Sequence, residues 1–413
     1  MLLQLQSFFG LLVLLLLCWV TGSRDAIKKR VVIGGITLQF VIALLLIKLP
    51  QTQAIFLTFN RMLLALEEAT RAGTSFVFGY LGGGPTPFIT DYPQNNFVLA
   101  FQALPLILVI SALSALLFYW RILPMIVKGF TWLLQKVLGI SGPLGVGATA
   151  NIFLGMVEAP LLIRPYLLKL HRGELFALMV CGMATVAGTV LVLYASILTP
   201  VIPNALGHIM TASLISAPAA LTLASLYCPW SEQADVTAEF TNEYDGPMDA
   251  ITVGTGRGLQ LWLNIVAMLL VLVALVSLSN QILHLLPDFN GTPLSLERIF
   301  GWLFAPLAWL TGIPWNEALL CGQLLGTKVI LNELVAFLNL SALGPDDLSE
   351  RSRLLISYAI CGFANLGSLG IMVGGLCTMV PERRSEIISM GVSSVWVGLL
   401  ATLLTASVVG TMI

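Results

Sequence analysis

SGPLGVGATANIFLGMVEAPLLIRPYLLKLHRG, residues 141–173, consists of two apolar pieces interrupted by Asn151, Gly155, Glu158 and Pro160. A helix needs roughly 20 apolar residues to cross a bilayer core, and neither piece reaches that length. A segment that enters and leaves on the same side is a re-entrant hairpin. Membranes accept one only where its broken backbone is covered by protein or lines a cavity. The stretch therefore predicts a polytopic helical membrane protein with an internal cavity.

Composition agrees with that reading. The 413 residues are 57% apolar and 10% charged, with 20 basic and 21 acidic residues netting −1. Mean hydropathy is +0.93. Soluble globular chains carry about 25% charged residues, so a soluble enzyme or a disordered scaffold is excluded. The near-neutral balance offers no basic field for nucleic acid. The six cysteines form no CxxC pair and the three histidines do not cluster, which predicts no metal-cluster site.

Working outward, apolar runs at about 2–20 and 31–49 predict two spans joined by a basic loop. The first has no base before it and no clear small-x-small cleavage site, so it reads as a helix and not as a signal peptide. An amphipathic helix near 52–72, a Gly-rich break at 79–87 and a long span at about 95–119 follow. Residues 121–139 alternate basic and apolar positions at helical spacing, as an interfacial helix does. After the hairpin, the run 174–200 carries Gly182, Thr185 and Gly188 in its middle and reads as a span unwound there. Further spans cover about 206–227, 254–285, 353–376 and 386–411. A second interrupted region at about 296–341 ends in GTKVILNELVAF. Residues 229–249 are acidic without a base and read as a linker between two halves.

The fold class is thus all-α, with eight transmembrane helices, two re-entrant hairpins and interfacial helices. One interrupted segment in each half points to an inverted-repeat transporter with a midplane site. Bases concentrate on the side facing the 21–30 loop, so the positive-inside rule puts both termini on the external side and the acidic linker in the cytoplasm.

Two carboxylates, Glu158 and Glu333, remain in apolar surroundings, with Lys328 just before the second. Each such charge costs about 2.5–3.5 kcal/mol to insert and persists only facing a partner, a cavity or a cargo. Plainer alternatives are a Glu333–Lys328 pair holding the hairpin and a Glu158–Arg164 contact. Glu174 and Glu317 lie near predicted ends and read as solvated. Asn365 and Ser368 sit in CGFANLGSLGI (361–371), where a buried amide needs partners. Asn151 and Thr185 offer oxygen ligands beside interrupted backbone, suited to a hard cation. No HExxH or GxSxG is present and no His lies near either glutamate in sequence, so the reading is a carrier and not an enzyme.

These stretches resemble the concentrative nucleoside transporter family. The likeness rests on FVFGYLGG (76–83), NIFLGMVEAP (151–160), GLQLWLNIVAML (258–269), GTKVILNELVAF (326–337) and CGFANLGSLGI, which keep one order over roughly residues 70–411. The resemblance implies a homotrimer in which each protomer pairs a scaffold with a mobile transport domain, working as an elevator. The implied scaffold is residues 1–120 and 251–286. The implied transport domain is 121–228, 294–345 and 350–413, with the linker at 229–250. It further implies that Glu333, Asn365 and Ser368 bond the ribose hydroxyls, with Asn332 beside them. Glu158 bonds a base edge, Phe363 packs on the base, and Leu261, Met156 and Val157 complete the pocket. Asn151, Leu154, Thr185 and Val186 match the family's sodium site, largely through backbone carbonyls.

One departure matters. The family's first tip commonly reads G-Q-[TS]-E, whereas this chain has Gly155-Met156-Val157-Glu158. Losing an amide and a hydroxyl removes base-edge hydrogen bonds of about 0.5–1.5 kcal/mol each, so the cargo is expected to be held mainly by its sugar with altered base preference. The expected function is nucleoside import across the inner membrane by symport with Na+, with a proton-coupled nucleoside or nucleobase carrier as the alternative. No bound cofactor is implied, and the partners are the nucleoside, the lipid bilayer and further copies of the chain.

Overall fold

The structure, a computed structural model, describes residues 1–24, 28–88, 97–230, 244–288, 291 and 293–413. Most of the acidic linker (231–243) and the centre of the 21–30 loop lie outside the described residues. Among those described, all regular structure is helical, and seven helical stretches are long and apolar enough to cross a membrane.

The chain opens with α1 (Leu2–Thr21), α2 (Lys29–Lys48) and α3 (Pro50–Phe78), the last longer than the amphipathic stretch predicted. Short α4 (Leu99–Gln102) leads into α5 (Leu106–Tyr119). Two copies of one element order then follow. In the first, α6 (Ile122–Leu138) precedes a hairpin of α7 (Gly142–Phe153) and α8 (Glu158–Leu162). A broken helix, α9 (Arg172–Ala184) and α10 (Gly188–Leu198), and the long α11 (Ala205–Tyr227) complete that copy. After α12 (Pro247–Leu283), α13 (Leu296–Leu310) precedes a hairpin of α14 (Trp315–Ile330) and α15 (Glu333–Ala342). The broken helix α16 (Glu350–Ile360) and α17 (Leu366–Met379) and the long α18 (Arg384–Gly410) complete the second copy.

Three details differ from the sequence reading. Asn151 and Pro160 lie inside α7 and α8, and the break is confined to 154–157, where Gly155 has a φ of +109° that favours glycine. The span expected at 353–376 is itself broken between Ile360 and Leu366. Glu174 is buried and not solvated: it forms a capping box with His171, its Oε2 accepting from His171 N–H at 3.1 Å.

Packing divides the helices. α12 lies against α5, and α1 and α2 lie against α11, α13, α18 and α6. Ser7 Oγ donates to Thr311 O at 2.9 Å, and Cys18 Sγ to Leu223 O at 3.3 Å. The first two helices are therefore joined to the hairpin-bearing bundle. Arg351 gathers the chain ends: its guanidinium donates to Ser7 Oγ at 3.2 Å, to Gly410 O at 2.8 Å and to Ile413 O.

Candidate functional site

Two hairpin tips face one another across a cavity of about 310 Å3. Glu158 opens α8 on one side, and Glu333 opens α15 on the other. The first turns of a helix carry unpaired N–H groups and partial positive charge, which favours a carboxylate at each position. The breaks before α10 and α17 supply two further walls, and α12 supplies the last.

Glu333 is buried and its two oxygens are held separately. Oε1 accepts from Tyr194 Oη–H at 2.6 Å, and Oε2 accepts from Asn365 Nδ2 at 2.9 Å. Asn365 is also the N-cap of α17, its Oδ1 accepting from Ser368 N–H at 2.7 Å. A single amide thus fixes the helix start and orients the carboxylate. Asn332 caps α15, accepting from Val335 N–H at 3.0 Å. Lys328, weighed as the partner of Glu333, donates instead to Ala359 O and Thr402 Oγ1, both at 2.8 Å. It fastens α14 to the end of α16 and to α18.

Every residue predicted to contact the cargo lines this cavity: Met156, Val157, Glu158, Leu261, Asn332, Glu333, Phe363, Asn365 and Ser368. Met156 and Val157 also lean on neighbouring glycines. A Cβ on Gly182 would stand 2.9 Å from Met156 Cβ, and one on Gly375 3.2 Å from Val157 Cγ1. The cation sharing the cavity with Glu158 is Arg257 of α12; Arg164 is exposed beyond the end of α8.

The predicted cation ligands meet at the end of α7. Asn151 is 1% exposed, its Nδ2 donates to Gly147 O at 3.0 Å, and its Oδ1 has no hydrogen-bond partner. Thr185 Oγ1 lies 3.5 Å from Asn151 O. Val186 O accepts from Ser213 Oγ at 3.2 Å, and Leu154 sits at the cavity margin. An orphaned buried oxygen beside hydroxyl and carbonyl oxygens is a donor set that fits a hard cation.

The sequence reading missed Tyr194, Arg257, Gln260 and Asn264, all on the cavity wall. Tyr194 gave no signal of its own, because a hydroxyl needs a protein partner only where it is buried. The other three gave one in their spacing at i, i+3 and i+7, one face of an otherwise apolar helix.

The family model described as "Na+ dependent nucleoside transporter C-terminus" matches residues 208–410. The corresponding N-terminus model matches 9–81 and "Nucleoside recognition" matches 100–201. The nucleoside permease NupC of Helicobacter pylori is 35% identical, with 98% of this chain and 97% of the relative covered. The solved structure of CNTnw in an inward-facing, substrate-bound state is 34% identical and superposes with a TM-score of 0.90, covering 99% of this chain and 97% of that one. A doubly substituted variant of CNTnw in an outward-facing state is also 34% identical, with a TM-score of 0.92 over the same shares of both chains.

Proposed function

The chain belongs to the concentrative nucleoside transporter family, membrane carriers and not enzymes, and on that premise we propose that it imports nucleosides across the inner membrane by symport with Na+. The observation that carries the reading is the pairing of Glu158 and Glu333. They are helix-initial carboxylates from two tips, held in one cavity with Asn365 and Ser368 beside the second. At the Glu333 end, Asn332, Asn365 and Ser368 take the ribose hydroxyls. At the other end Glu158 takes a base edge, with Phe363, Leu261, Met156 and Val157 packing on the ring.

Sodium is the coupling ion in this reading, held by Asn151, Thr185 and the carbonyls of Leu154 and Val186. The unpaired Oδ1 of Asn151 supports it. The cation sits where α7 ends and α9 unwinds, so binding there orders the first tip before nucleoside arrives. The loaded body then slides as an elevator against α3–α5 and α12, the fixed part. The expected scaffold of residues 1–120 includes α1 and α2; they pack on α11, α13 and α18, and in this reading they travel with the moving body. The long apolar flank of α12, exposed at Leu263, Leu270 and Leu278, supports association with lipid and with further copies as a homotrimer.

Counterflow of labelled uridine in proteoliposomes at fixed pH, with Na+ replaced by choline, tests the proposal. Uptake is expected to be saturable and to fall at least tenfold in choline. Uptake indifferent to Na+ but driven by a pH gradient would establish proton coupling, and no uptake of any nucleoside would end the reading.

A further inference from the structure

Arg257 has no part in the assignments above, yet its side chain lines the cavity beside Glu158. Its place is built by close helix packing. A Cβ on Gly254 would stand 2.7 Å from Ala115 Cβ, and one on Gly258 2.9 Å from Leu108 Cα, so α12 lies almost in backbone contact with α5. Arg257 falls between these glycines. Tyr244 steadies it, accepting from Arg257 Nη1 at 3.0 Å with its ring centroid 5.8 Å from the guanidinium carbon. Tyr244 is anchored in turn edge-on against Phe118, with ring centroids 6.2 Å apart. One obligate donor and one acceptor therefore share the cavity end away from Glu333, where the first tip offers only Met156 and Val157.

Resting on the nucleoside reading, we propose that Arg257 is a specificity-determining residue that reads the base from the α12 side and selects a lactam edge. Its guanidinium donates to the exocyclic carbonyl farthest from the sugar, position 4 of a pyrimidine or 6 of a purine. Glu158 accepts from the adjoining ring N–H. A guanidinium has five donors and no acceptor, so an amino group at that exocyclic position meets it donor to donor. The ring nitrogen beside that amino group is an acceptor, and it meets the carboxylate acceptor to acceptor. Such mismatches discriminate because both sides are left unpaired once the base covers them. Uridine, inosine and guanosine are therefore preferred over cytidine and adenosine.

The test is displacement of labelled uridine from the purified full-length protein in Na+ by the matched pairs uridine/cytidine and inosine/adenosine. The oxo member of each pair is expected to bind about tenfold or more tightly. Arg257→Ala should lower both ratios severalfold, the remainder being set by Glu158, while leaving the discrimination against 3′-deoxyuridine, read at Glu333, unchanged. Arg257→Lys should keep part of the preference, and Tyr244→Phe should weaken it. These two variants carry the test if Arg257→Ala does not fold. The inference is overturned if the amino member of either pair binds as well or better, or if Arg257→Ala keeps both ratios. It is also overturned if that variant lowers the 3′-deoxyuridine discrimination equally, which marks a purely structural role. Failure of any nucleoside to displace the label is a different result and overturns the transport reading itself.

Discussion

Tyr194 sits in an apolar helix with its hydroxyl 2.6 Å from Glu333 Oε1, and both side chains are buried. Replacing it with Phe keeps the ring, which packs 5.0 Å from Phe337 between centroids, and strips one donor from the carboxylate. A buried acceptor deprived of a partner costs about 1–3 kcal/mol. Tyr194→Phe is therefore expected to raise KM for uridine about tenfold and to shrink the discrimination against 3′-deoxyuridine. A merely destabilised protein would lose active molecules and keep that ratio, so uptake kinetics with both nucleosides separate the two outcomes. Glu158 and Glu333 were legible in the sequence because a carboxylate in an apolar run is expensive. Tyr194 was not, because its ring counts as apolar and the hydroxyl's partner comes from a remote part of the chain. Arg257 was lost for another reason. It lies near the start of a span, where a base reads as a loop charge.

Between elements, the contact of α12 with α5 depends on two missing side chains. Gly254 and Gly258 are spaced as in the small-residue motif by which helices approach closely in lipid, where dispersion and not the hydrophobic effect draws them together. Gly258→Leu would drive a side chain into Leu108 and Ser111, whose Cβ lies 2.9 Å from the site of the added atom. Overpacking of this kind costs about 1–3 kcal/mol. Both thermal stability and uridine transport are expected to fall, whereas Gly256→Leu, at a glycine with open space around it, leaves both near wild type. Equal behaviour of the two variants would show that close approach is not needed. The hairpins were legible because Gly, Asn, Glu and Pro interrupt their runs. The break between α16 and α17 was not, because Cys361-Gly362-Phe363-Ala364 is apolar enough to read as a continuing helix. What ends α16 there is tertiary: a Cβ on Gly362 would lie 2.8 Å from Ala184 O, and Asn365 starts the next helix while holding Glu333.

Across the whole molecule, the two ends of the chain meet. Gln4 Nε2 donates to Ile413 O at 3.1 Å, and Arg351 reaches Ile413, Gly410 and Ser7 together. Both termini therefore share one face of the bundle. Charge predicts which face that is. The opposite face carries Lys28, Lys29 and Arg30 at the start of α2, Arg121 and Lys128 before and within α6, Arg172 at the start of α9 and Arg383 and Arg384 at the start of α18. Bases near span ends are retained in the cytoplasm, while acids weigh little, so the acidic residues flanking α12 do not argue against that placement. A membrane-impermeant maleimide applied to intact spheroplasts is expected to label Leu2→Cys, at a position 84% exposed. It should label Asp245→Cys, exposed just before α12, only after lysis. The native cysteines are buried or half-buried, and the unsubstituted chain sets the background. Labelling in the reverse pattern would invert the protein in the membrane and put the basic face outside.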